Sequence, residues 1–202
     1  QRRRQASLMH TTEQSGDSCP HTPPLPGGDE PSPWVVRWSH LVPAGGRVLD
    51  VACGGGRHTR WFHARQHPIT AVDVAPAAID ALAHLGETVC ADLENAPWPF
   101  TGRQFDAVVV TNYLWRPLLP TLVSSLAPGG VLIYETFAAG NETVGRPSRP
   151  DFLLQPGELL DACASLRTVA YEDGFLPAPE RFVQRIAAVR VMGSDAVARR
   201  AL

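Results

Sequence analysis

The 202-residue sequence contains no lysine: all eighteen basic residues are arginine, set against twenty acidic ones, for a formal charge of −2. Without a basic excess, nothing in the composition asks for a nucleic-acid partner beyond a local patch. Cysteine is scarce as well. Cys19, Cys53, Cys90 and Cys163 stand apart with no Cys-x-x-Cys pair, which argues against a disulfide framework or a structural zinc site and for reduced, packed thiols. No apolar run approaches the roughly 20 residues that span a bilayer. Arg2-Arg3-Arg4 is not followed by an apolar segment, so neither a membrane helix nor a secretory signal is expected, and the reading is a soluble, cytoplasmic protein. Hydrophobic residues make up 44% of the chain, enough for one sizeable core.

Large apolar side chains are few in residues 1–33, where Pro, Gly, Ser, Thr and His dominate. Such a stretch buries too little area to offset the entropy of ordering, so it is expected to be a flexible tail or a lid. His10, Cys19 and His21 fall within it, and a flexible polar segment accounts for them better than a metal cluster does. Residues 193–202 read as a frayed C-terminal tail, which leaves one domain at 34–192. A helix is predicted over 33–41, with Pro33 in its first turn and Trp34 and Trp38 on its apolar face.

From residue 47 onward short apolar runs alternate with helical patterns. Strands are predicted at 47–52, 69–74, 88–91, 105–111, 131–137, 166–172 and 181–191, and helices at 57–66, 77–85, around 118–126 and from 155. The nearly continuous apolar runs at 105–111 and 131–137 are what a strand buried on both faces of a parallel sheet requires. The expected fold is α/β, a Rossmann-like three-layer sandwich with a seven-stranded, mostly parallel sheet; a hairpin of the last two strands supplies the one antiparallel strand. Residues 138–150 form a polar insertion after the fifth strand, long enough to suggest function rather than filler.

The stretch Val48 to Gly56, Val-Leu-Asp-Val-Ala-Cys-Gly-Gly-Gly, reads as a buried strand running into a glycine turn at a helix N-terminus. A dinucleotide fingerprint requires Gly-x-Gly-x-x-Gly, but Gly54-x-Gly56 is followed by Arg57, His58 and Thr59. Asp50 inside the motif would repel a pyrophosphate and attract a ligand carrying an ammonium group. Here the segment resembles motif I of the class I S-adenosylmethionine (SAM) methyltransferases, matched as Asp50-x-Ala52-x-Gly54-x-Gly56 with Ala52 in place of the first glycine. The helix, Pro128-Gly129-Gly130 turn and apolar strand that follow resemble the same family. The resemblance extends over about residues 33–191 and implies SAM as cofactor. It places Asp50, Ala52, Cys53, Gly54, Gly56 and Arg57 around the methionine end. Asp73, with Val74 beside it, falls at the ribose hydroxyls, Asp92 and Leu93 at the adenine, and Asn112 at the crevice. Asp73 alternatively caps the helix that begins near Pro76. The helix carrying Trp34 and Trp38 either covers the cofactor pocket, as in many relatives, or covers the core edge. The loop Pro97-Trp98-Pro99-Phe100 either faces the adenine or packs on the core.

The Gly-Gly-Gly-Arg57 loop, the Pro156-Gly-Glu-Leu helix start and the Tyr171-Glu-Asp-Gly174 segment are similar to those of the tellurite-resistance and thiopurine-type methyltransferases. That similarity implies a small-molecule acceptor, a thiol, a chalcogen oxyanion or a like nucleophile, that needs no strong base. Arginines would then hold the acceptor's negative charge. Arg116, Arg146 and Arg149 are the candidates, with Tyr113, Glu135 and Asn141 near them. For a hydroxyl or amine acceptor, Glu135 or Tyr113 would take the proton. An RNA or protein methyltransferase of the same fold, a nicotinamide-binding oxidoreductase and a non-catalytic SAM-binding protein stand as alternatives. His63 and His67 lie one turn apart without a third ligand, so no metal is expected.

Overall fold

In the computed structural model, which describes residues 28–192, the chain runs α1 (Pro33–Trp38), β1 (Val48–Val51), α2 (Arg57–His63), β2 (Ile69–Asp73), α3 (Pro76–Leu82) and β3 (Glu87–Cys90). It continues through β4 (Phe105–Thr111), α4 (Leu119–Ser124), β5 (Leu126–Phe137), α5 (Glu158–Ala162), β6 (Arg167–Pro177) and β7 (Glu180–Val189). The tails expected at 1–27 and 193–202 lie outside the described residues.

All seven strands form one sheet in the order β3-β2-β1-β4-β5-β7-β6. Every pairing from β3 to β5 is parallel, and β7 is antiparallel to both β5 and β6. β7 is therefore the one reversed strand. The central strands are the apolar runs: Val48, Leu49, Val51, Ala107, Val108, Val109 and Val110 are fully enclosed. Side chains alternate between two cores. Trp34, Trp38, Phe62, Ile79 and Leu82 bring α1, α2 and α3 onto one face, around Val48, Ala107, Val109 and Ile133. On the other, Leu119, Leu122 and Leu159 bring α4 and α5 onto Leu49, Val108, Val110 and Leu132.

Several boundaries move for identifiable reasons. The 33–41 helix is α1 followed by a tighter 3-10 turn at Ser39–Leu41. Leu126 belongs to β5 rather than to the preceding helix. It pairs with Phe105, and the next register pair is Ala107 with Val131, so Pro128-Gly129-Gly130 bulges out of the strand. A Cβ on Gly130 would lie 2.9 Å from the carbonyl oxygens of Ala127 and Phe105, which is why glycine stands there. β6 and β7 extend the predicted hairpin to a tip around residues 177–180.

Two consequences position the site. Strand order reverses direction between β1 and β4, opening a crevice at their carboxyl ends where open α/β sheets bind ligands. The reversed β7 also brings its first residues to those same ends: Glu135 is opposite Arg185 and Phe137 is opposite Val183.

Candidate functional site

The crevice is walled by the loop between β1 and α2. Its backbone turns through left-handed conformations at Ala52 (φ 51), Gly54 (φ 51) and Gly56 (φ 74). Gly56 is held tightly, because a Cβ there would run into the Leu82 side chain; around Gly55 there is open space. Asp50 is buried beneath this loop and accepts a hydrogen bond from the Thr59 hydroxyl at 2.7 Å, tying β1 to the first turn of α2. Burial pushes its carboxyl up to about 6, against the pull of Thr59 and Arg57. Burial, with Asp50 and Asp73 nearby, likewise pushes the Cys53 thiol far above the usual range, so it is an inert packed group.

Asp73, at the end of β2, leans across to the loop. Its Oδ2 accepts from the Gly54 amide at 2.8 Å and its Oδ1 from the Ala75 amide at 2.9 Å. The second bond closes the turn ahead of α3, whose N-cap is Ala75 without a side-chain cap, so Asp73 does not cap that helix, and a carboxylate with about four acceptor positions keeps capacity for a diol. Val74 beside it is 64% exposed, an apolar surface with nothing of the described chain to cover it. Asp92 closes its own turn, accepting from the amides of Glu94 and Asn95 and from the Asn95 side chain, which hold its carboxyl below the usual range. Leu93 is half-buried beside it.

Tyr113 belongs to this cofactor side. Its hydroxyl is buried with no hydrogen-bond partner among the described residues. Burial, then the carboxylates of Glu94, Asp92 and Asp73, push the phenol well above its ordinary range. Held protonated in this way, it is placed to donate a hydrogen bond. Asn112, exposed and left-handed (φ 55), takes the chain out of β4, with its amide on the Glu135 carbonyl at 3.0 Å. In the Trp98 loop, Phe100 is the residue that packs into the core, stacked edge-on between Trp98 and Phe105.

A second group of polar side chains lies beyond the ends of β4, β5 and β7. Glu135 is 2% exposed, and its Oε1 accepts from the Ser32 hydroxyl at 2.9 Å. Its Oε2 is 3.2 Å from Arg185, and Arg181 stands 3.9 Å from Oε1. Arg185 also binds Glu172 and lies over the Trp34 ring at 4.8 Å. Arg57 reaches Thr111 Oγ1 at 3.4 Å and the carbonyl of Glu30 at 3.4 Å. Buried His58 accepts the Ser32 amide on Nε2 at 3.0 Å. Residues 29–32 are thereby drawn over this end of the sheet, with Asp29 3.8 Å from Arg60. The Trp34 indole donates to the Ile186 carbonyl at 3.3 Å, so α1 is tied to β7.

The sequence-based arginine candidates are elsewhere. Arg116 spends its donors on both oxygens of Glu158 and on the carbonyls of Asp151 and Leu153, pinning residues 151–153 and α5 to the segment after β4. Arg149 pairs with Asp151 on the surface, and Arg146 is exposed. Asn141 is buried as a tie, donating to the Pro147 carbonyl and accepting from the Phe182 amide. Arg181, Arg185, His58 and Ser32 escaped the sequence reading because only the β5–β7 register and the path of the N-terminal segment bring them to Glu135. His63 and His67 lean on the carbonyls of Leu85 and Gly46. Among the described residues, no three His, Cys, Asp or Glu side chains gather to hold a metal ion, and no helix is long and apolar enough to cross a membrane.

A glycine loop after the first strand, a carboxylate closing the second and a crevice at the switch point define a nucleotide-cofactor domain of the class I methyltransferase type. Residues 48–130 match the methyltransferase domain family. The chain is 29% identical over 156 residues to malonyl-[acyl-carrier protein] O-methyltransferase of Serratia marcescens, a match that spans 64% of this chain and 59% of that relative. The TehB crystal structure from Haemophilus influenzae superposes with a TM-score of 0.63 at 18% identity, over 77% of this chain and 61% of that one. The N-methyltransferase NodS from Bradyrhizobium japonicum superposes with 0.60 at 18%, over 78% and 94%. Residues 48–130 thus match a methyltransferase domain within a chain that has the fold of the class I methyltransferases, and SAM is the cofactor such a domain takes.

Proposed function

We propose that this protein transfers the methyl group of SAM to a small-molecule acceptor, a thiol, a chalcogen oxyanion or a comparable nucleophile. The observation that carries the cofactor half is the Gly54–Asp73 hydrogen bond at 2.8 Å, which joins the glycine loop to the second-strand carboxylate around one crevice. The residues fit SAM. Asp73 would accept from the ribose hydroxyls, exposed Val74 and half-buried Leu93 would cover the adenine with Asp92 at its edge, and the unpartnered Tyr113 hydroxyl would find an acceptor. The backbone of Ala52, Cys53, Gly54 and Gly56, with Arg57 and Asn112, would hold the methionine end. Asp50 supports that loop from beneath, through Thr59, in place of a direct ammonium contact.

Bound SAM supplies an electrophilic methyl on a sulfonium, open to in-line displacement by one lone pair. What remains for the protein is alignment, with reacting atoms at about 3 Å, and exclusion of water. Residues 29–32 and α1 cover the far side of the crevice, with Glu135 buried under them and Arg181 and Arg185 mostly so. That enclosure favours a small acceptor over RNA or protein. Glu135, already accepting from Ser32 and Arg185, serves to order the arginines rather than to abstract a proton.

Calorimetric titration with S-adenosylhomocysteine, beside NAD, tests the cofactor. The expected result is micromolar binding of the former, none of the latter, and at least tenfold weaker binding (about 1.4 kcal/mol) in Asp73→Ala. A preference for NAD would overturn the reading. Methyl transfer to a panel of thiols, with product detected by mass, then tests the acceptor class.

A further inference from the structure

The charges beyond β5 form a chain of alternating sign: Arg37 with Glu172 at 3.7 Å, Glu172 with Arg185, Arg185 with Glu135 at 3.2 Å, and Glu135 with Arg181 at 3.9 Å. Three guanidiniums alternate with two carboxylates, so the chain carries one uncompensated positive charge. Its two ends differ. Arg37 lies on the surface of α1, with its side chain 57% exposed, where solvent screens it. Arg181 lies at the start of β7 with its side chain only 24% exposed, and its Nε is buried without a hydrogen-bond partner among the described residues.

Buried donors are seldom left unpaired, and an unmet one is costly. Arg181 is also close enough to Arg57, next to the glycine loop, for the two cations to repel. Adding Arg57 does not neutralise the excess: it is drawn first to Glu135, already counted in the chain, and then to buried Asp50, whose charge offsets its own. The unmet donor therefore lies at the same end of the sheet as Glu135, which residues 29–32 cover.

Resting on the methyl-transfer reading above, we propose that Arg181 is the specificity-determining residue for the acceptor and binds a carboxylate on it. A planar, bidentate carboxylate matches a guanidinium fork, and a single anion balances the single excess charge. A phosphate dianion would need a second free cation, but Arg185 is already committed to Glu172 and Glu135. The arrangement explains why Glu135 is buried where no proton needs removing: it holds Arg185 and Arg181 apart and oriented from the sheet side.

The test uses the full chain saturated with S-adenosylhomocysteine and titrated with benzoate, with its neutral isostere benzamide and with inorganic phosphate. The expected result is benzoate binding at least tenfold tighter than benzamide and tighter than phosphate. Arg181→Gln should lose at least tenfold in benzoate affinity with S-adenosylhomocysteine affinity kept, and Arg167→Gln on the exposed face of β6 should bind as wild type. Arg181→Lys, which preserves the charge facing Glu135, covers the case in which Arg181→Gln does not fold; it should lose several-fold through loss of the fork. Equal binding of benzoate and benzamide, no benzoate binding, tighter phosphate binding, or unchanged benzoate affinity in the Arg181 variants would overturn the proposal. Failure of S-adenosylhomocysteine to bind the wild type would instead overturn the cofactor reading, and that appears in the first step.

Discussion

The backbone amide of Ser32 donates to Nε2 of His58 at 3.0 Å, so a histidine on the first turn of α2 holds the segment that leads into α1. Since Nε2 accepts, the ring is neutral and its proton sits on Nδ1, which faces the Thr111 hydroxyl at 3.5 Å. His58→Phe fills the same space but leaves the Ser32 amide buried and unpaired. A loss of about 1–3 kcal/mol is expected, with faster amide exchange at residues 29–35. Unchanged exchange there would show that the histidine is not the clasp.

The same residue predicts an acid response. Burial and then Arg57 push His58 from 6.5 down to about 3, so between these values the unfolded chain binds a proton that the fold does not. Stability from His58 is complete above 6.5 and is lost as pH falls toward 3. Asp50 works the other way. Raised from 3.8 to about 6, it is protonated in the fold first, so its contribution is complete below 3.8 and is lost as pH rises through 6. Urea titrations from neutral pH to about pH 4 should show a shallower decline for His58→Gln than for the wild type and a steeper one for Asp50→Asn. Parallel declines in all three would refute both assignments.

Ala52 adopts φ 51, where a side chain is strained and glycine is not. Ala52→Gly should stabilise the protein by roughly 0.5–1 kcal/mol, since relief of strain exceeds the added freedom of the unfolded chain. Gly56→Ala is the opposite case. Its φ of 74 and the Leu82 side chain in the way predict a loss above about 2 kcal/mol and S-adenosylhomocysteine affinity reduced at least tenfold. Thermal melts with and without the ligand separate the two effects.

Arg116→Ala should behave as a structural lesion. It removes the bonds to Glu158 and to the carbonyls of Asp151 and Leu153, in a partly exposed setting, so about 1–2 kcal/mol is expected. Exchange should quicken over residues 150–160 while S-adenosylhomocysteine affinity holds. A selective loss of acceptor KM with unchanged stability would return Arg116 to the acceptor site.

Legibility in the sequence followed the range of the interactions. Strands whose residues are buried on both faces announced themselves as apolar runs, and the Val48–Gly56 stretch showed its turn because left-handed backbone selects glycine locally. Asp73 was readable because its distance from Gly54 is a property of one βαβ unit. Tyr113 and Arg116 were readable only as neighbours of β4: the sequence put both near the crevice, but not which way each side chain turned. Packing sent Tyr113 toward Asp73 and Asp92 and sent Arg116 to Glu158.

The sequence by itself determined the parallel α/β sheet, the glycine loop and the carboxylate that accompanies it, because periodicity, turn chemistry and spacing within a single unit are local constraints. Only the tertiary structure decided the far side of the crevice. Ser32, His58, Glu135, Arg181 and Arg185 come from four separate segments, and Glu135 and Arg185 meet through the antiparallel register of β5 and β7. A long-range register is set by the burial of whole faces, which no short stretch of residues encodes.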